Sequence, residues 1–318
     1  MTSGYRRWLA VAILSLIAGA AAMPMAPAAQ PRPASQSTQR SFATPQAAVD
    51  ALVATVRASD TASIGRILGA GSDRLIHSGD PVADRRGRER FVAAYEKRSR
   101  IEPEGDDRAT LLIGEKDWPF PFPLVKRGER WRFDTQAGAQ AVIDRRIGRN
   151  ELAAIQVCLA YVDAQREYAA TAGNGDGLHR YATKLVSSPG KKDGLYWPTP
   201  EGQPASPLGP LAAKAKKEGY GKSGSGANEP YHGYLYRILT AQGPDAPGGV
   251  YAYVVKGRMI GGFGLVAYPA RWGASGVMTF IVNHDGVVYQ KNLGPRSSAI
   301  AGRMTTFDPD PSWTQARP

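Results

Sequence analysis

Apolar residues recur at helical spacing early in the chain and gather into short runs late in it. Thr44 stands where a helix N-cap belongs, Pro45 fills the first helical position, and Val49, Leu52, Val53 and Val56 follow at helical intervals. Asp60 begins a second short helix carrying Ile64, Ile67 and Leu68, closed by Gly69-Ala70-Gly71. A third helical pattern runs from Asp84 to Arg98 with Phe91, Val92 and Tyr95 inward. Its arginines, Arg85, Arg86, Arg88 and Arg90, suit either an anion or a solvated face balanced by Asp84, Glu89 and Glu96. Residues 110–115 then read as a strand, and 124–125 with 131–133 as a hairpin around Lys126 to Arg130. Helices followed by a curved antiparallel sheet predict an α+β roll over 42–148.

From Asn150, a capping residue, the pattern predicts a helix over 151–169 with two apolar faces. Leu152, Ile155, Cys158, Leu159, Val162 and Ala169 make one face, and Val157, Tyr161 and Tyr168 the other. A polar stripe of Gln156, Asp163 and Glu167 runs between them. A helix apolar on two sides is buried on both, so it links the roll to a second unit over 149–318. There a short helix is expected at 210–218, then strands at 231–239, 260–267, 276–282 and 287–291. Asn283 to Gly286 turns between the last two. This is an antiparallel meander packed on the linking helix. After Leu293 the pattern fades into an irregular tail. The fold class is α+β throughout.

Composition and charge both shift near residue 171. Residues 42–170 hold 20 basic and 19 acidic residues with 10 glycines, whereas 171–318 hold 16 basic, 9 acidic and 24 glycines. The net charge of +12 therefore lies mostly in the second half and in the N-terminal segment. That segment has its own logic. Arg6 and Arg7 precede an apolar run from Leu9 to Ala22 that ends in three alanines, the arrangement of a cleavable signal peptide over 1–22. Residues 23–41, rich in Pro, Ala, Gln and Ser, read as a flexible linker. The expected location is the periplasm or the exterior, with no integral membrane span after cleavage. The lone Cys158 sits in an apolar pattern and reads as a buried inert thiol.

Four stretches of the second half carry a family resemblance. Leu195 to Pro198, Ser206 to Pro210, Tyr231 to Tyr234, and Gly276 to Phe280 with Asn283 to Tyr289 resemble the bacterial family catalogued as domain of unknown function 2950. So do Trp118 to Pro121 and Trp131 to Asp134. The resemblance covers nearly all of 42–313 and implies no catalytic residues. More distantly, a long helix followed by an antiparallel meander is similar to the globular heads of type IV pilins and pseudopilins. The N-terminal order of elements resembles the nuclear transport factor 2-like superfamily, whose cone holds a ligand or active site in some members. The pilin processing site is missing here, so the resemblance implies shape without polymerisation.

Catalytic motifs fail on context. Gly221-Lys222-Ser223 lacks the upstream glycine of a phosphate-binding loop, since that place is Lys216, and Ser188 to Lys191 spells Ser-x-x-Lys across a helix-breaking Pro-Gly. His77, His179, His232 and His284 are dispersed, and Asn174 and Asp176 lack the closing glutamate of a calcium loop. No catalytic residue, metal ligand or cofactor is assigned. The surface cue is aromatic and basic: Tyr234, Tyr236, Lys214, Lys217, Arg258, Arg271 and Trp272 are the candidate binding residues. The expectation is a non-enzymatic exported protein that binds an envelope protein or an anionic polymer, and not nucleic acid. The alternative is a small-molecule-binding or hydrolytic enzyme using a pocket in the N-terminal cone.

Overall fold

A computed structural model describes residues 39–171, 180–221 and 229–317. The expected signal peptide, nearly all of the expected linker, His179, Asn174, Asp176 and Lys222 lie outside the described residues. Gln39 to Ser41, read above as the end of the linker, are tied to the body. The Gln39 side chain donates to the Ile67, Leu68 and Phe133 carbonyls at 2.8–3.1 Å.

Four helices come first: α1 (Pro45–Arg57), α2 (Thr61–Leu68), α3 (Asp73–Ile76) and α4 (Pro81–Lys97). Each long one begins as its sequence dictates. Thr44, Asp60 and Asp80 accept from the backbone N–H three residues on, and Pro follows the cap in α1 and α4. A sheet follows, made of β1 (Ser99–Pro103), β2 (Arg108–Ile113), β3 (Trp118–Pro119), β4 (Leu124–Arg127) and β5 (Arg130–Phe133). The order is β1-β2-β4-β5, all antiparallel, with β3 also on β2. Leu52, Val53, Ile67, Leu111, Leu124 and Phe133 form the first core between these helices and this sheet.

The linking helix α5 runs from Gln136 to Thr171, fifteen residues earlier than the 151 start expected from Asn150. Residues 144–150 are mostly polar because they meet solvent and a cavity, so the capping signal at Asn150 misled. Its amide instead donates to the Ser275 carbonyl at 2.8 Å. The polar stripe of Gln156, Asp163 and Glu167 is exposed, and Ile155, Val157, Cys158, Tyr161 and Val162 are buried. Leu152 departs from the expected face and stays more than half exposed, at 54%.

The remaining elements are α6 (Gly209–Lys217), β6 (Tyr234–Leu239), β7 (Ala241–Gln242), β8 (Tyr251–Ala252), β9 (Val254–Val255), β10 (Arg258–Met259), β11 (Gly264–Pro269), β12 (Thr279–Asn283), β13 (Val288–Lys291), α7 (Ser297–Ala301), β14 (Thr306–Phe307) and β15 (Thr314–Gln315). The principal sheet is antiparallel in the order β15-β13-β12-β11-β6. Every residue of β12 is buried because the sheet is covered on both faces. The helix α5 packs on β11, β12 and β13, while α7 and β14 also pack on β11. The tail expected to be irregular after Leu293 thus supplies a helix and two strands. They are too short to leave a periodic signature, and β14 pairs in parallel with distant β7. This second core holds Tyr161, Tyr234, Phe263, Phe280 and Phe307.

Candidate functional site

A concavity with a volume of about 790 Å³ lies over the first core. Its apolar lining comes from Leu52 and Val56 of α1, Ile64 and Leu68 of α2, and a tilted aromatic stack. Phe91 and Phe120 rings sit 5.2 Å apart, and Phe120 meets Phe122 edge-on at 5.1 Å. Such pairs hold their geometry better than aliphatic contacts.

The charged lining is lopsided. Arg86, Arg88 and Arg90 come from α4, Arg146 and Arg149 from α5, and Lys214 from α6. Asp84 and Glu218 are the two carboxylates among them. Arg146 is held by α3, donating to the Arg74 carbonyl at 2.7 Å and the Leu75 carbonyl at 2.8 Å. Burial lowers its pKa from the ordinary arginine value. Asp84 accepts from the Ser78 N–H at 2.9 Å, yet burial still raises its pKa. Arg88 Nε is buried with no hydrogen-bond partner. A charged donor left this way costs free energy unless something else satisfies it.

One rim of the cavity is a two-residue turn. His232 (φ 51°) and Gly233 (φ 75°) both lie in the left-handed region, with reciprocal backbone bonds between Tyr231 and Tyr234. Glycine suits 233, since φ there is positive and a Cβ would lie 2.9 Å from Ser275 Cβ. The turn is fixed by Asp80, which is 1% exposed. Asp80 accepts from the Gly233 N–H, the Tyr220 hydroxyl and the Ala83 N–H at 2.8–2.9 Å. His232 Nε2 lies 3.2 Å from Glu218. Burial lowers the imidazole's pKa more than Glu218 raises it. Tyr220 is pushed up by burial and by Asp80.

The residues nominated from sequence scatter. Lys214 lines the cavity and Lys217 is exposed at the end of α6. Tyr234 is fully buried and its hydroxyl donates to the Met278 carbonyl at 2.8 Å. Tyr236 lines a separate apolar pocket of about 180 Å³ beside Leu211 and Tyr231. Arg271 is a strut that donates to the His77 carbonyl at 2.6 Å and pairs with Asp73. Trp272 donates to Asn292 at 3.0 Å, and Arg258 is exposed on β10. They are not brought into one patch. Of the cavity's cations, the sequence pointed to Arg86, Arg88 and Arg90 of α4 and to Lys214 of α6. Arg146 and Arg149, one helical turn apart, were hidden by the misplaced start of α5, and Tyr220 and Glu218 carried no local signal.

Among the described residues no three or more His, Cys, Asp or Glu side chains converge as a metal site, and no helix is long and apolar enough to cross a membrane. Fold and site together define an α+β protein enclosing an apolar cavity rimmed by arginines. Residues 39–316 match the model of the family described as Protein of unknown function (DUF2950), and the chain belongs to that family. No curated protein matches the chain, and no solved structure does.

Proposed function

We propose that this protein is an exported, non-enzymatic binding protein whose cavity takes an amphiphilic small molecule with an apolar body and an anionic head. The observation that carries this reading is the cavity. Its volume of about 790 Å³ falls in the ~300–1,000 Å³ range of small-molecule sites. Its interior is aliphatic and aromatic, and six cations face two carboxylates in its lining. Arg88 Nε, buried without a partner, gives an anionic head a donor to satisfy.

The test is a thermal-shift and calorimetric series on the full chain. It uses a long-chain fatty acid, an alkyl phosphate, the neutral alcohol of equal length, and inorganic phosphate. The long-chain anions are expected to raise Tm and to bind. The neutral alcohol and bare phosphate are expected to bind at least tenfold more weakly. Arg149→Glu, at an exposed position, should lower affinity for the anions on the order of tenfold. Equal binding of alcohol and acid, or no binding in the series, overturns the reading.

Export is supported by Arg6, Arg7, the apolar run from Leu9 to Ala22 and its alanine end. N-terminal sequencing of the secreted or periplasmic protein should begin at Met23. The shape likenesses, a nuclear transport factor 2-like cone and a pilin-like head, are supported by element order and by α5 lying along an antiparallel sheet. An experimental structure superposed on both tests them. A hydrolytic reading is favoured by one observation, the His232–Glu218 pair at 3.2 Å in the cavity lining. Ester turnover lost in His232→Gln would establish it, and no turnover would dismiss it.

A further inference from the structure

Three of the seven large apolar side chains exposed among the described residues crowd into eleven positions. They are Val250 at 71%, Val255 at 42% and Ile260 at 37% exposure. Val255 lies on a preformed hairpin and Ile260 directly follows it, while Val250 stands just before β8. Strands β9 and β10 pair Val255 with Arg258 and Val254 with Met259. Lys256 and Gly257 turn between them with φ of 49° and 75°. The inner side is anchored: Met259 is 1% exposed, and its carbonyl accepts from the Tyr181 N–H at 2.8 Å. The outer side therefore sets Val255 beside Arg258, with exposed Lys256 at the tip. Residues 246–262 contain no carboxylate.

We propose that the hairpin of β9 and β10, with its flanking Val250 and Ile260, is a membrane-seating surface, its aliphatic side chains entering the interface of an anionic bilayer while Lys256 and Arg258 meet lipid phosphates. Exposed aliphatic side chains flanking a pair of cations suit the interface of an anionic bilayer. The core of a protein–protein contact is instead richer in aromatic side chains. The hairpin's shape is set before contact, so little ordering entropy opposes seating. Two cations and three aliphatic groups make a reversible, salt-sensitive contact. The assignment is independent of what the cavity holds.

Because residues 9–22 are themselves apolar, the test reads the hairpin locally in the full chain. Val255→Cys is labelled with an environment-sensitive dye, and Trp118→Cys, at a 66% exposed apolar position elsewhere, is the control. The native Cys158 is fully buried and its thiol is pushed up to about 12, so it does not compete for label. With phosphatidylglycerol-containing vesicles, the dye at 255 is expected to shift blue and to be quenched by lipid-borne quenchers, and the dye at 118 is not. Lys256→Glu with Arg258→Glu should weaken the response on the order of tenfold or more. With pure phosphatidylcholine vesicles the response should be slight. No shift at 255, an equal shift at 118, or an equal response to neutral vesicles overturns the proposal.

Discussion

A methyl group on Gly138 would stand 2.0 Å from the Pro121 carbonyl oxygen, where no real Cβ is found. Alanine is the better helix former by about 1 kcal/mol. Overpacking against fixed backbone costs about 1–3 kcal/mol, so the clash wins. Gly138→Ala should lower stability by up to about 2 kcal/mol net in a denaturant melt. His232 gives a second prediction at this scale. Its folded pKa lies below the usual ~6.5, so the unfolded chain takes up a proton that the folded chain refuses. Stability contributed by the neutral ring is intact above that value and falls as pH drops below it. His232→Gln should flatten this slope, as measured by melts from neutral to mildly acid pH. Capping residues were legible one at a time: Thr44 and Asp60 do locally what their chemistry dictates. Arg146 was not legible, because its role depends on two carbonyls of α3, more than seventy positions away.

Among elements, α5 is the most informative. The start expected at 151 failed because a polar run inside a helix looks like a boundary when nothing says what the run faces. Here it faces the cavity. The structural consequence sits at Glu151, whose Oε1 accepts from the Val277 and Met278 N–H groups at 2.9 and 3.0 Å and so pins α5 to the entry of β12. Glu151→Ala removes the acceptor for both donors and should cost about 2–4 kcal/mol. Glu151→Gln keeps one oxygen and should cost about 1 kcal/mol; chemical denaturation of the two variants measures the difference. The strands of the principal sheet were readable from their apolar runs. The two-residue strands β7, β8 and β14 were not, since they are too short to show a period and β14 pairs with distant β7.

For the molecule as a whole, Asp80 matters most, because one carboxylate holds α4, Tyr220 and the Tyr231–Tyr234 turn together. Asp80→Ala strands three donors, two of them buried, and should cost about 3–5 kcal/mol. It should also split calorimetric unfolding into two steps, one for each core; one lowered step would mean that other ties keep the cores a single cooperative unit. The α+β class and the helix-then-sheet order could be read from periodicity. The cavity could not, because its lining is drawn from α1, α2, α4, α5, α6 and a turn, and no local pattern records their meeting. The 36-residue α5 has one more consequence. Its first turns cover one core, through Val142, and its last turns are buried in the other, through Tyr161 and Val162. During synthesis the earlier core therefore lacks its covering rod until about a hundred and forty residues have emerged. The rod, about 54 Å long by its rise per residue, then offers a bare apolar flank until β12 arrives. A cut within α5 would strip one core or the other of its share of this rod.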